Sequence, residues 1–331
     1  MKAILMTRPG SPDVLELADI PEPALSDPGQ IKVRLRAAGV NPIDTKLRKR
    51  GVFFPDALPA VLGCDGAGEV VETGADVTRF KVGDRVWFCH GGLGAEQGNY
   101  AEFTVLDQRW AAPLPDSLSF ELGAAAPLVL ITAWGGLYDR ARLTAGQTVL
   151  IHAGTGGVGH VAIQLAKLRG ARVIATVSSP EKAAMARQWG ADETVDYRSC
   201  DFAEAVNELT SGQGADVVLD TVGPDVFMQS LACTAHFGDI VTLLDLPEQP
   251  LKEARLRNLR IGFELMLTPQ LRGLEKARLH QVHMLETCGA WMAEGKLQIN
   301  VSHTLPLEQA AHAHDLLETG HMSGKTVLTL G

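Results

Sequence analysis

The sequence has no CxxC pair, no excess of positive charge and no long apolar run. Its five cysteines, Cys64, Cys89, Cys200, Cys233 and Cys288, are scattered and odd in number. That pattern argues against a disulfide framework or a structural zinc-thiolate site, and it predicts reduced thiols in a cytoplasmic setting. Lys+Arg number 30 against 39 Asp+Glu, a formal net charge of −9, which excludes a general nucleic-acid binder because phosphate affinity needs clustered cations. The longest uncharged stretch, residues 122–138, is interrupted by Pro127, Gly135 and Gly136 and falls short of the about 20 apolar residues of a membrane span. The opening MKAILMTRPG carries a four-residue apolar run, too short for the core of a secretory signal. Tyrosine is scarce as well, at three residues: Tyr100, Tyr138 and Tyr197.

What is present is ordinary for a globular chain. Hydrophobic residues make up 46% and charged residues 21%, so disorder and fibrous architectures fit poorly. A length of 331 residues suggests about two domains. The first 120 residues read as short strands separated by Gly and Pro, with few helices. Residues 31–37 (IKVRLRA) alternate with the period of a half-buried strand. After about residue 117 the pattern changes. Buried strand runs at 147–153 (QTVLIHA), 172–177, 215–220 and 239–244 alternate with helical segments at 158–169, 180–190, 201–209 and 226–232. Such alternation predicts βαβ units and a doubly wound parallel sheet. The run from Leu259 to Leu267 (LRIGFELML) reads as one more strand. A helix follows from 271 to about 292, then another at 307–318, and residues 325–330 close the chain as a strand.

The strongest signal is Gly154-Thr155-Gly156-Gly157-Val158-Gly159, a full GxGxxG that follows the QTVLIHA strand and opens the next helix. Gly154 permits a tight turn, Gly156 lets the backbone approach a pyrophosphate, and Gly159 allows helix-on-strand contact. The helix start then offers free N–H groups and the positive end of its dipole to phosphates. An NAD site places Asp or Glu about 20 residues on, at the end of the second strand. Here that end reads Ser178-Ser179-Pro180-Glu181-Lys182. Ser178 and Ser179 can hydrogen-bond a ribose 2′-phosphate and Lys182 can neutralise it, provided that Glu181 turns outward. Lys182 can equally be a solvated helix residue. The missing acid favours NADPH over NADH.

These residues resemble the medium-chain dehydrogenase/reductase superfamily, and within it the zinc-independent quinone oxidoreductase-like branch. The resemblance runs through GVNPID (39–44), GCDGAGEVVETG (63–74), FKVGDRV (80–86), HAGTGGVG and DTVG (220–223), and covers nearly the whole chain. It implies an α/β fold in which a GroES-like, mainly-β catalytic domain is split around a Rossmann domain. The corresponding boundaries are residues 1–124, 125–267 and 268–331, with a cleft between the domains and a homodimer through the Leu259 to Leu267 edge strand. By resemblance Asn41 lines the substrate pocket, Thr132 lies near the nicotinamide, Val222 and Gly223 mark the cofactor-side strand end, and Tyr197 stands near the 2′-phosphate or serves only in surface packing.

Zinc-dependent relatives place ligands where this chain has Asn41, Cys64-Asp65 and the segment near 128–130. A catalytic zinc needs about three protein ligands, and only Cys64 with Asp65 or Asp44 remains, so no metal is expected. Without a Lewis acid the expected acceptors are quinones and C=C bonds conjugated to a carbonyl. Tyrosines that such relatives carry after the Asp44 position are replaced here by Lys46 and Phe53. Lys46 can stabilise a developing anion or be merely solvated, and Asp44 can position the loop or act as a base. The proton donor stays unassigned, with water as the default. An enoyl-thioester reductase and a non-catalytic, crystallin-like NADPH-binding protein are the alternatives.

Overall fold

The computed structural model describes residues 1–246, 248–320 and 322–331. The chain divides into two compact units. One contains Met1–Leu128 with Thr268–Gly331, and the other contains Val129–Leu267.

The first unit is mainly β. Its larger sheet runs in the spatial order Val301–Pro306, Lys325–Thr329, Gln30–Val40, Asp65–Thr73, Arg85–Cys89 and Ala112–Pro113, with Phe103–Asp107 also paired to Gln30–Val40. Lys2–Met6 lies between Leu15–Asp19 and Ala60–Val61 in a smaller sheet. The closing strand pairs antiparallel with the first half, Thr326 opposite Val40 and Thr329 opposite Ala37. The alternation in IKVRLRA appears as burial of Ile31, Val33, Leu35 and Ala37.

A helix, Pro42–Arg50, interrupts this β unit where the sequence reading expected a loop. Its start is an NxxD cap. The Asp44 carboxylate accepts the Asn41 N–H (2.8 Å), and Pro42 stands in the first turn, where its missing donor costs nothing. Gly51, at φ 97°, ends the helix.

The second unit carries a six-stranded parallel sheet in the order Glu193–Asp196, Arg172–Val177, Thr148–Ile151, Ala215–Asp220, Thr234–Thr242 and Arg260–Phe263. This is the doubly wound order in which the chain reverses direction across the sheet between its first and fourth strands. Leu150, Ile174, Val218 and Ile240 form the sheet's contribution to a core completed by Phe202, Val206 and Phe227. Burying a side chain such as Phe227 contributes about 1.5–3 kcal/mol.

Two boundaries differ from the sequence reading. The strand expected from Leu259 to Leu267 covers only Arg260–Phe263, because Glu264 turns inward and accepts a hydrogen bond from Arg140 Nε at 3.0 Å. The helix expected from residue 271 is two, Thr268–Leu271 and Glu275–Ala293, since Gly273 takes φ 62° between them. No helix among the described residues is long and apolar enough to cross a membrane.

Candidate active site

In the α/β unit the glycine turn sits at the carboxyl ends of the strands, where their order reverses. The Gly154 N–H donates to Thr176 O (2.9 Å) on one neighbouring strand. The Thr221 hydroxyl, just past the other neighbour, donates to His152 O (2.9 Å). The residue that adopts the left-handed conformation of the turn is Ala153, at φ 49°, not Gly154. Gly154 is needed for a different reason: a Cβ there would lie 2.8 Å from the Ala175 Cβ. Gly159 acts as expected, because a Cβ at that position would meet Ala153 O at 2.2 Å. Gly156 is the N-cap of the Gly157–Leu168 helix, and Thr155 is buried beside it. The first-turn N–H groups of Gly157, Val158 and Gly159 are the donors that an α-helix leaves without an internal partner.

The second and third strands end side by side, with Tyr197 N–H donating to Val177 O at 3.2 Å. This brings Ser178, Ser179, Lys182 and Tyr197 to one end of the sheet. Ser179 caps the Pro180–Gln188 helix by accepting from Lys182 N–H, 3.3 Å away. Its hydroxyl also hydrogen-bonds the exposed Glu181 carboxylate and lowers that group's pKa. Ser178, Lys182 and the half-exposed Tyr197 lie beside Ser179 at this end of the sheet. Asp220 is buried and builds the next corner. Its Oδ1 accepts from Val222 N–H (2.9 Å) and Gly223 N–H (3.0 Å), and its Oδ2 accepts from the Thr242 hydroxyl (2.8 Å). Burial raises the Asp220 pKa against those hydrogen bonds. Gly223, at φ 134°, starts the following helix, and Thr132 is buried on the Pro127–Trp134 helix.

The β unit holds a second polar cluster, buried and built from segments far apart in sequence. Asn41 Nδ2 donates to Asp65 Oδ2 (2.9 Å), and Asp65 Oδ1 accepts from Leu128 N–H (3.0 Å). The Lys325 ammonium donates to Asn41 Oδ1 and to Val40 O (3.0 Å). Asp44 Oδ2 accepts from the Tyr100 hydroxyl at 3.2 Å, and that same hydroxyl lies 3.2 Å from His314 Nε2. All of these side chains are buried, Lys325 to 3% exposure and Asn41, Asp44, Asp65, Tyr100 and His314 to zero. Desolvation pushes Asp44 up to about 7 and Asp65 up to about 6, with Lys325 pulling the other way on both. Burial also lowers the Lys325 pKa, raises the Cys64 and Cys89 thiols and the Tyr100 phenol, and holds His314 down at about 3. A group of opposed, shifted acids and bases in one place is the pattern of a reactive site.

This geometry changes several sequence expectations. Asn41 is a buried linker with its oxygen on an ammonium and one amide hydrogen on a carboxylate, so it has no exposed surface on a pocket wall. Lys46, on the same helix, is exposed to solvent and takes no part in the cluster. A phenol from a distant segment, Tyr100, does contact Asp44. Lys325, Tyr100 and His314 escaped the sequence reading. The one clue was a lysine opening an otherwise uncharged closing strand.

Two family models match the chain: the alcohol dehydrogenase GroES-like domain over residues 27–116, and a zinc-binding dehydrogenase over residues 189–328. The chain is 40% identical over 328 residues to a quinone oxidoreductase of Pseudomonas aeruginosa, covering 99% of each. It belongs to the quinone oxidoreductase branch of the medium-chain dehydrogenase/reductase superfamily. Among solved structures, it is similar over the whole of both chains to Escherichia coli quinone oxidoreductase complexed with NADPH, with 31% identity and a TM-score of 0.89. It is also similar over the whole of both chains to an NAD-dependent alcohol dehydrogenase, with 36% identity and a TM-score of 0.90.

The residues present suit a dinucleotide, because the glycine turn and the start of the Gly157–Leu168 helix lie at the strand ends where the sheet order reverses. They do not suit a zinc ion. Both Asp65 oxygens already accept protein donors, and an ammonium stands on Asn41. Among the described residues, no group of three or more His, Cys, Asp or Glu side chains is arranged to hold a metal.

Proposed function

We propose that this protein is an NADPH-dependent reductase that delivers a hydride to a quinone or an α,β-unsaturated carbonyl without zinc. The observation that carries the cofactor choice is the sheet end at Val177 and Tyr197. There Ser178, Lys182 and Tyr197 stand where an NAD site would have an acid. Glu181 works against a phosphate, but its carboxylate is held by Ser179 in the first helical turn. NADPH, when bound, supplies the hydride. Thr155 and the first-turn N–H groups of Gly157, Val158 and Gly159 would hold its pyrophosphate, while Lys182 neutralises the 2′-phosphate. Val222, Gly223 and Thr132 complete the cofactor side in this reading.

The choice of acceptor follows from the buried cluster. Lys325 is, among the described residues, the cluster's one ammonium, and it is committed to Asn41 and Val40, so the cluster offers no free cation to polarise the oxygen of a simple alcohol or ketone. Quinones and enones take hydride without one. Asn41 orients the cluster, and Asp44 holds a proton near neutrality. A homodimer belongs to the same reading, through the Arg260–Phe263 edge strand, which has exposed Phe263 and Leu265 beside it.

The test is a panel of quinones, enones, enoyl thioesters and alcohols with deuterium-labelled NADPH. The reading expects NADPH oxidation with quinones or enones, with deuterium carried into the enone product. Oxidation with enoyl thioesters alone would replace it with a thioester reductase. Binding of NADPH with no oxidation by any acceptor would leave a non-catalytic binding protein. Equal use of NADH would remove the 2′-phosphate assignment.

A further inference from the structure

Beneath the glycine turn lies a row of buried polar side chains that no cofactor contact accounts for. His152, the residue before Ala153, is 1% exposed, and burial alone pushes its pKa down to about 3, so the ring is neutral. Its Nδ1 lies 3.2 Å from Thr176 Oγ1, and its Nε2 lies 2.9 Å from Ser230 Oγ. Thr176 stands on the neighbouring strand Arg172–Val177, and Ser230 ends the Pro224–Ser230 helix. The Phe202 ring packs across the imidazole with centroids 4.8 Å apart. All of these residues belong to the α/β unit.

The positions of the protons follow from the partners. The Ser230 oxygen lies 2.6 Å from Val226 O, a carbonyl that can only accept, so the Ser230 hydrogen is spent there. Toward His152 the Ser230 oxygen must therefore accept, which puts the ring proton on Nε2. A neutral ring carries one N–H, so Nδ1 is an acceptor and takes the Thr176 hydroxyl proton. The lone pairs of Thr176 Oγ1 are then free for the Ala153 N–H, which donates to that oxygen at 3.1 Å. Every donor in the row has an acceptor, and only one of the two imidazole tautomers allows it.

What the row holds is the strained point of the turn. Ala153 has φ 49°, a left-handed backbone that a residue with a Cβ adopts at a cost. Such residues persist where their surroundings over-determine them. Three hydrogen bonds fix this one. Thr176 Oγ1 takes its N–H, the preceding carbonyl of His152 accepts from the Thr221 hydroxyl at 2.9 Å, and its own carbonyl accepts the Gly156 N–H at 2.8 Å. We propose that His152, with its proton on Nε2, is a positioning residue for the dinucleotide. It aims the Thr176 hydroxyl so that the oxygen faces the Ala153 N–H, and thereby presets the turn that leads into the Gly157–Leu168 helix. The inference rests on the glycine turn being the seat of the cofactor, and it adds to that seat a residue outside the GxGxxG motif.

Thr176→Val keeps the side-chain shape and removes the hydroxyl. NADPH fluorescence titration should show binding weakened about 10-fold, and His152→Leu, which removes both ring nitrogens, should match it. His152→Asn returns an acceptor oxygen near the Nδ1 position and should recover binding to within about 3-fold of wild type. In turnover with a quinone, the loss should fall on KM for NADPH rather than on kcat. A further readout needs neither cofactor nor turnover: the nitrogen NMR spectrum of histidine-labelled protein. The His152 signal, identified by its loss in His152→Asn, should show the Nε2–H tautomer with a hydrogen-bonded Nδ1. In Thr176→Val the Nδ1 resonance should move to that of a nitrogen with no donor.

An Nδ1–H tautomer in the wild type overturns the proton placement. Variants that lose thermal stability but bind NADPH as tightly as wild type overturn the positioning role and leave His152 as core packing. If His152→Asn binds as weakly as His152→Leu, the part given to the Thr176 hydroxyl is wrong. Unaltered NADPH binding in Gly159→Val would instead remove the cofactor from the turn, and the NMR spectrum would still decide the tautomer.

Discussion

The dinucleotide end of the α/β unit and the buried cluster of the β unit are assembled in opposite ways. The first is local. A strand, a glycine turn and a helix start occur in one run of sequence, and the neighbouring strand ends add Ser178, Lys182 and Tyr197 through backbone pairing that any parallel sheet would make. The second is non-local. Asn41, Asp65, Tyr100, His314 and Lys325 come from five segments, and side-chain hydrogen bonds between residues far apart in sequence join them where antiparallel strands pair. The local site is open and held by backbone geometry, whereas the non-local site is closed and held by hydrogen bonds to a buried ammonium and buried carboxyl groups. Substitutions should therefore fail differently in the two places: by steric or contact loss in the first, and by stranded charge in the second.

The largest effect should follow removal of the internal ammonium. Lys325→Met takes a charged donor from two buried acceptors, Asn41 Oδ1 and Val40 O, and the cation that favours the Asp65 carboxylate, a loss of about 3 kcal/mol or more. Urea unfolding should show a loss of that size, and a loss below about 1 kcal/mol would place the cluster's stability elsewhere. Next is Gly159→Val, whose branched side chain would enter space within 2.2 Å of Ala153 O. Overpacking of about 3 kcal/mol or more corresponds to NADPH binding weakened roughly 100-fold, as read by NADPH fluorescence titration.

A pH comparison sharpens the contrast. The folded chain holds the Asp44 proton up to about pH 7, against an ordinary value of 3.8. Its contribution to stability is present in full below the ordinary value and is lost as pH rises through 7. Asp44→Asn abolishes that dependence. Relative to wild type, the variant should become more stable between pH 5 and pH 8, measured by urea midpoints at each pH. A pH-independent difference would mean that Asp44 is ionised throughout.

The smallest effects belong to the open site. Lys182→Ala should weaken NADPH about 10-fold and leave NADH nearly unchanged, because one charge-assisted contact to the 2′-phosphate is lost. Equal weakening of both cofactors would remove that contact from the account. Lys46→Ala, on the exposed face of its helix, should alter neither cofactor affinity nor turnover beyond about 2-fold.

The same division explains what could be read in the sequence. Strand and helix alternation after residue 117, the GxGxxG and the absent acid at Ser178–Lys182 are all consecutive patterns, and the parallel sheet realises them in the doubly wound order. The Pro42–Arg50 helix was also legible in principle, since Asn41-Pro42-Ile43-Asp44 is a capping signal, but the surrounding strands masked it. Tyr100 and His314 carried no such sign. They meet at 3.2 Å across a separation of 214 positions, and nothing near either one in sequence encodes it. Ser179 shows a subtler point: its residue type suits a phosphate, and in the fold its hydroxyl also caps the Pro180–Gln188 helix.

The central claim is hydride transfer from NADPH to a quinone or enone without zinc. The most direct measurement is NADPH oxidation, in the presence of a quinone and of an enone, by protein stripped of metal with a strong chelator and dialysed. The account predicts full turnover after stripping, no gain on adding zinc, and a clear preference for NADPH over NADH. Activity that disappears with the metal and returns with zinc would contradict it.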